Sequence, residues 1–184
     1  MAGFETAAAG TGVRKGTGKV GGGLSQIVVF KLADESYGVS IHLVREINAL
    51  QPITSVPHTP DFIEGVTNLR GKVIPVLDLR KRLGLPAENG RDTRIMVVEH
   101  RQETIGMIVD AVSEVLTVDP AAVEPPSPYV VSVDTEYITG ILKLEDRLVI
   151  LLDLTRVLNP GEEESLQQFA QDQTTGVENA QEGA

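Results

Sequence analysis

Three groups of residues have types and spacings that suggest chemistry. Arg70, in the stretch NLRGK, stands just before the apolar run VIPVL. Its guanidinium offers five donors in a rigid fork. It reads as a solvated hairpin residue, as an ion-pair partner of Glu46, or as an interface side chain. An exposed pair alone would be worth only about 0–1 kcal/mol. Asp78 and Asp153 suggest a general acid/base pair. Each, however, opens a D-L-x-x-x-L run, so a helix N-cap is the better reading. GTGKVG, residues 16–21, matches G-x-G-x-x-G, and Asp34 follows it. A dinucleotide site needs a strand before that motif and a helix after it, whereas here a Gly/Ala-rich arm precedes it. His42, His58 and His100 are scattered without metal-ligand spacing. There is no G-x-S-x-G elbow and no cysteine. These patterns favour neither an enzyme nor a metal or cofactor site.

The elements that hold these residues form a repeat. GVTNLRGKVIPVLDLRKRL (65–83) lies over GILKLEDRLVILLDLTRVL (140–158) at an offset of 75. Gly65 meets Gly140, Asp78-Leu79 meets Asp153-Leu154, and Leu83 meets Leu158. IVVFKLADESYGVSIHLVREI (27–47) lies over IMVVEHRQETIGMIVDAVSEV (95–115) at an offset of 68, with Gly38 on Gly106, Val44 on Val112 and Glu46 on Glu114. The seven-residue difference falls in the loop around DPAAVEPPSPY. Each unit reads as a β-branched strand, a polar turn and a second strand. A short helical turn follows, placing Val44 with Ile47, or Val112 with Val115, on one face. Further strands are expected around 53–56 and 116–118, then a hairpin and a capped helix ended by Gly84 or by Asn159-Pro160. The run LVILLDL is apolar on both faces, one for its own barrel and one for the sister unit. Pro75 marks its counterpart, or one side of it, as an edge. Many short strands with tight turns indicate small barrels. A unit of about 60 residues buries only roughly 60% of its unfolded surface, so the two must pack together.

Where the copies differ, one is free to do something else. Arg70 corresponds to Glu145, Gly71 to Asp146 and Asn68 to Lys143. Glu46 can pair with Arg70, whereas Glu114 would face Glu145, so that these two must splay apart or sit in water.

Composition sets the frame. Hydrophobic residues make up 41% of the 184-residue chain and aromatics only 4%, so the core must be Val, Ile and Leu, which favours strands. The formal charge is −10 and falls in blocks. Residues 1–24 hold three bases and one acid; residues 161–184 hold six acids and no base. The expected organisation is a flexible Gly-rich arm (1–24), a folded domain (25–160), and an acidic, mostly disordered tail (161–184) with at most a helical turn near 166–169. The acidic balance argues against nucleic acid and anionic lipid. There is no apolar run of about 18 residues for membrane insertion and no apolar signal core, which reads as a cytoplasmic protein.

The stretches VVFKLADESYGVSIHLVREI, TPDFIEGVTNLRGKVIPVLDLRKRLG, IGMIVDAVSEVL and VDTEYITG resemble the CheW family, the coupling proteins of bacterial chemosensory arrays. The resemblance runs from about Ile27 to Leu158, and GVTNLRGKVIPVLDLR is its most specific block. The arm and tail lie outside it. It implies a mainly β fold of two SH3-like five-stranded β-barrels, packed as one pseudo-symmetric domain with a few short helices. The subdomains would fall at approximately 25–90 and 91–160, with strand exchange between them left open. It further implies a non-catalytic adaptor without cofactor, recruited to membrane-bound receptor arrays. Its partners would be the cytoplasmic domain of chemoreceptors and the regulatory domain of a CheA-type histidine kinase. The receptor's helical hairpin would lie in a groove between the barrels. Carried over position by position, the resemblance makes Val44, Glu46, Gly65, Arg70, Val112 and Gly140 receptor-binding positions. Asn68 and Gly71 shape the Arg70 loop, and Tyr129 is an aromatic used in kinase and ring contacts. Core packing is the alternative for Val44 and Val112, and backbone conformation for the two glycines. Other readings are a CheW-like adaptor of a non-flagellar pathway, a kinase regulatory domain, and a small barrel enzyme or ligand-binding protein.

Overall fold

A computed structural model describes residues 13–14, 25–129 and 135–178. The strands are β1 (Val13–Arg14), β2 (Ser25–Leu32), β3 (Glu35–Ser40), β4 (Val44–Ala49), β5 (Ile63–Leu69), β6 (Lys72–Asp78), β7 (Arg94–His100), β8 (Glu103–Val109), β9 (Ala111–Val118), β10 (Val123–Glu124), β11 (Ile138–Lys143) and β12 (Leu148–Leu152). Helix α1 spans Leu79–Arg82 and α2 spans Pro160–Glu178. The fold is mainly β.

One sheet runs β1-β9-β2-β3-β12-β11-β10 and the other β4-β7-β8-β6-β5. β1 and β10 have two residues each, which leaves five principal strands in either sheet. All pairs are antiparallel except β3–β12 and β6–β8, which are equivalent in the repeat. The first hairpin of each copy lies in the sheet built by the other copy's later strands. No cut near residue 90 therefore separates the sheets.

Each sheet wraps back on itself. The chain leaving β4 at one edge reaches Thr54, which exchanges two backbone hydrogen bonds (2.8 and 2.9 Å) with Val66 of β5 at the opposite edge. In the other sheet β9 runs through a 3-10 turn, Pro120–Ala122, into β10, which pairs with β11. Gly65 and Gly140 sit where these crossing segments pass. A Cβ on Gly65, whose φ is +138°, would lie 1.9 Å from the Thr54 carbonyl oxygen; one on Gly140 would lie 2.4 Å from Val123 Cγ1. Both glycines adjoin a register shift in their strand.

Strands apolar on both faces are resolved as the repeat suggests. Ile27 and Val29 of β2, with Leu116, Leu142 and Val149, fill one sheet's interior. Ile74, Val76, Ile95, Val97 and Ile108 fill the other's. The alternate residues, among them Val28, Phe30, Met96, Val98, Ile105, Met107 and Leu152, meet in a shared core between the sheets.

Four expectations are corrected. Residues 44–47 and 112–115 lie in strands, not helical turns. A β-bulge between Val44 and Glu46, and its counterpart opposite Val29 and Phe30, adds a residue. The same-face pairs Val44/Ile47 and Val112/Val115 therefore arise from a bulged strand, whose spacing of three mimics a helix. The strand expected at 53–56 reduces to the bridge at Thr54. Pro75 lies in a strand flanked on both sides, but its β8 ladder starts only at Val76, so no bond requires its missing N–H. The tail continues as α2 because Asn159 and Glu162 cap it reciprocally. The Asn159 Oδ1 accepts from the Glu162 N–H at 2.9 Å, and the Glu162 Oε2 accepts from the Asn159 N–H at 2.8 Å. Pro160 takes the N1 position that suits it. In the sequence alone this same Asn-Pro reads as a stop. The rest of the expected arm, and residues 179–184 of the tail, lie outside the described residues.

Gly65→Ala is expected to lower stability in urea denaturation by roughly 3 kcal/mol, through backbone overlap as well as strain. Gly71→Ala, at φ +84° with nothing within 4 Å of the added Cβ, should lose only the strain, about 1 kcal/mol.

Candidate functional site

The β5–β6 hairpin turns through Arg70 (φ +53°) and Gly71 (φ +84°). Two positive φ values in a two-residue loop match the right-handed strand twist and favour glycine at the second position. Asn68 Oδ1 accepts the Gly71 N–H at 2.8 Å across the turn. Arg70 is thereby lifted off the sheet with its side chain 82% exposed, and its Nη2 donates to Glu46 Oε2 at 2.8 Å.

The bulge in β4 explains how Glu46 reaches it. Val44 pairs with Val98, whose side chain enters the shared core, while Glu46 pairs with Val97, which faces the barrel interior. In a regular strand residues two apart share a face; the bulge turns them to opposite faces. Val44 thus packs against the shared core, as does Val112 in β9, and Glu46 is carried over the barrel mouth. Glu46 and Arg70 come from the two edge strands of one sheet, so their ion pair also spans the seam.

The second copy repeats the arrangement with another cation. Glu114 pairs with Arg147, two residues beyond Glu145, and Glu145 itself is exposed. The expected clash of Glu114 with Glu145 is relieved in this way. Arg147 corresponds to Lys72 in the repeat, so a signal for it was present in the alignment of the copies. The Arg147 side chain is 32% exposed, far less than that of Arg70.

Glu46, Asn68, Arg70 and Gly71 are brought together. Gly65 supports the strand leading to their turn. Val112 and Gly140 belong to the other barrel, and among the described residues no hydrogen bond or ion pair joins them to the Arg70 turn. Tyr129 is 99% exposed, with its N–H 3.4 Å from Ser127 Oγ.

The acids considered for catalysis are held in structural roles. Asp153 Oδ1 accepts the Thr155 N–H and hydroxyl at 2.9 and 2.6 Å. Asp78 caps α1 and grips the buried Arg80, whose Nε and Nη2 reach its two oxygens at 2.9 and 2.7 Å. Arg80 also donates to Asp110 Oδ1, the Glu88 carbonyl and Asn89 Oδ1 at 2.7–2.8 Å, so all five donors are used. The Asp78 hydrogen bonds hold its pKa above the ordinary arginine value. The network is not legible in the sequence because Arg80 and Asp110 lie 30 residues apart and meet only through the fold. A cavity of about 430 Å³ is lined by Arg82, Arg101, Arg156 and Glu136 among others. Its three arginines pair with Glu162, Glu163 and Asp153. Among the described residues no group of three or more His, Asp or Glu is placed to hold a metal, and no helix is long and apolar enough to cross a membrane.

Residues 26–162 match the model of the CheW-like domain family. The chain is 37% identical over 141 residues to the chemotaxis protein CheW of Klebsiella aerogenes, covering 74% of this chain and 83% of the relative. It is 39% identical over 142 residues to the chemotaxis protein CheW of Bacillus subtilis, covering 76% and 90%. The crystal structure of the scaffolding protein TtCheW from Thermoanaerobacter tengcongensis superposes with a TM-score of 0.69 at 44% identity, covering 75% of this chain and 94% of that one.

The two arginines should separate in stability measurements. Arg80→Ala, which leaves buried carboxylates uncompensated, is expected to cost about 3–5 kcal/mol. Arg70→Ala should change the urea unfolding free energy by less than about 1 kcal/mol, because its pair is exposed.

Proposed function

The chain belongs to the CheW-like family of non-catalytic chemotaxis scaffold proteins, and on that premise we propose that it joins the cytoplasmic domains of chemoreceptors to the regulatory domain of a CheA-type histidine kinase. Its place would be the cytoplasmic side of membrane-bound receptor arrays. The observation that carries this reading is the Arg70 turn. A cation in the left-handed backbone region, 82% exposed and held by Glu46, gains little for the fold. Held in one direction by its ion pair and by the Asn68–Gly71 bond, it loses less freedom when a partner binds. Arginine is also enriched among residues that dominate interface energies.

The flanking residues suit a helical partner. Val44 and Val112 lie partly buried at the rim of the shared core, where the sheets meet. An amphipathic hairpin laid along that rim would bury its apolar stripe there and reach Arg70 with its polar side. Gly65 and Gly140 act on this site through the backbone, since a side chain at either would push away the segment that closes the barrel. Tyr129, on a loop and fully exposed, is assigned to a separate contact with the kinase or a neighbouring ring member.

The test is capture of receptor cytoplasmic domain and kinase by the purified chain. Arg70→Ala is expected to keep the wild-type fold by circular dichroism and to lose at least about ten-fold in affinity for receptor, the scale of a moderate interface hot spot. Capture of both partners at wild-type strength would refute the assignment.

A further inference from the structure

The second copy departs from the first at its end. Leu83 is followed by Gly84, φ +70°, and a loop; the equivalent Leu158 is followed by the capped helix α2. Among the described residues the first copy closes its barrel without a counterpart of α2, so α2 has another task. Its root lies on Pro75 of β6 and Ile105 of β8, with Leu158 beside them, and Leu166 is its buried leucine. The rest of the contact is charged. Glu163, only 8% exposed, accepts from His100 Nε2 at 2.9 Å and from Arg101 Nη1 at 2.7 Å. Glu162 lies 3.4 Å from Arg82 Nη2. A carboxylate only accepts, so Nε2 carries the imidazole hydrogen. Among the described residues the buried His100 Nδ1 has no hydrogen-bond partner. His100, Glu103 and Gln167 border an unfilled space of about 10 Å³, room for one water. The turn that presents Arg101 is built from two non-glycine residues of positive φ, Arg101 (+47°) and Gln102 (+74°). Two positive φ values are what a two-residue hairpin loop requires, as at Arg70–Gly71, and they fix where Arg101 leaves the sheet.

We propose that this face of the barrel is a helix-docking site, which α2 occupies as a displaceable cover and which takes a partner protein's amphipathic helix bearing an acid three residues before a leucine. The floor of Pro75, Ile105 and Leu158 receives the leucine. His100 and Arg101 receive the acid, and Arg82 a second acid one position earlier. The cis helix satisfies this pattern with Glu162, Glu163 and Leu166. The tether favours the cis helix by its high effective concentration, so trans binding requires a better fit or a loosened cover.

The test uses the full chain and a fluorescein-labelled synthetic peptide of residues 159–178, read by anisotropy. The Leu166→Ala chain should show faster amide exchange across α2 with unchanged exchange in β7 and β8. It should bind the peptide at least about ten-fold more tightly than the wild-type chain. Glu163→Gln, a milder loosening, should act in the same direction. Adding Arg101→Glu, a change at a largely exposed side chain, should remove the gain. Three results would overturn the proposal: an α2 that exchanges no faster in either variant, peptide binding no tighter than to wild type, or binding indifferent to Arg101→Glu. Dimerisation of the Leu166→Ala chain would assign the site to a second copy and would also overturn it. Neither receptor nor kinase is present, so the outcome is independent of the adaptor reading.

Discussion

The two sheets share one layer of side chains, and the rest of the structure is arranged to keep that layer dry. Among the described residues the shared core contains 18 buried hydrophobic side chains, against six and five in the two barrel interiors. At about 1.5–3 kcal/mol for each large apolar side chain removed from water, the larger driving force lies between the barrels. A barrel cut free would keep its small interior and expose Phe30, Met96, Val98 and Met107 to solvent. This explains why the strands are apolar on both faces and why the first hairpins are exchanged. A strand that must serve two cores is held best when its chain neighbours lie on both sides of the boundary.

Hydrophobic burial does not set the angle between the sheets; hydrogen bonds do that more sharply. Asp110 is the single residue between β8 and β9, where the chain crosses from one sheet to the other. Its Oδ1 accepts from Arg80, its Oδ2 from the Ala33 N–H at 2.6 Å, and its own N–H donates to the Lys31 carbonyl at 3.0 Å. Arg80 belongs to one barrel and Lys31–Ala33 to the other. The crossover at the equivalent point in the first copy carries His42, which is exposed. The barrels are pinned at Asp110 by this charge network, and Arg82 Nε joins them again by donating to the Val157 carbonyl at 2.8 Å.

The repeat was legible because its glycines, capping aspartates and two-faced apolar runs are each dictated by local geometry. Gly65 and Gly140 sit under crossing backbone, and Asp78 and Asp153 cap. The alternation at 148–152 splits between two cores. The Glu46–Arg70 pair was also readable, since the copies differ at Arg70 and keep the acid. What was not legible has common causes. A bulge gives apolar residues a spacing of three, which one sequence cannot distinguish from a helical turn. Arg80, Asp110 and Ala33 meet only through tertiary structure. Asn159-Pro160 ends one short helix and starts another, and the reciprocal Glu162 bond that decides between stopping and starting was overlooked. Membership of the CheW-like family follows from the match over residues 26–162, whereas the binding roles of individual residues are proposals.

The acid-cation pairs at the two barrel mouths show how a duplicated scaffold acquires direction. In both copies a bulged strand lifts a glutamate over the mouth, and a cation from the opposite hairpin crosses to meet it. In the first copy the cation is the turn residue itself, so the pair leaves Arg70 projecting into water. In the second it is Arg147, withdrawn behind the tip, while Glu145 and Asp146 take the outer positions. The closure is the same, but one mouth shows solvent a cation and the other shows acids. A symmetric dimer of identical barrels would have two like mouths and could not bind two unlike partners in a fixed order. Because the paired cation stands two residues further along the second hairpin, the two copies present turn tips of opposite sign while both cores stay intact.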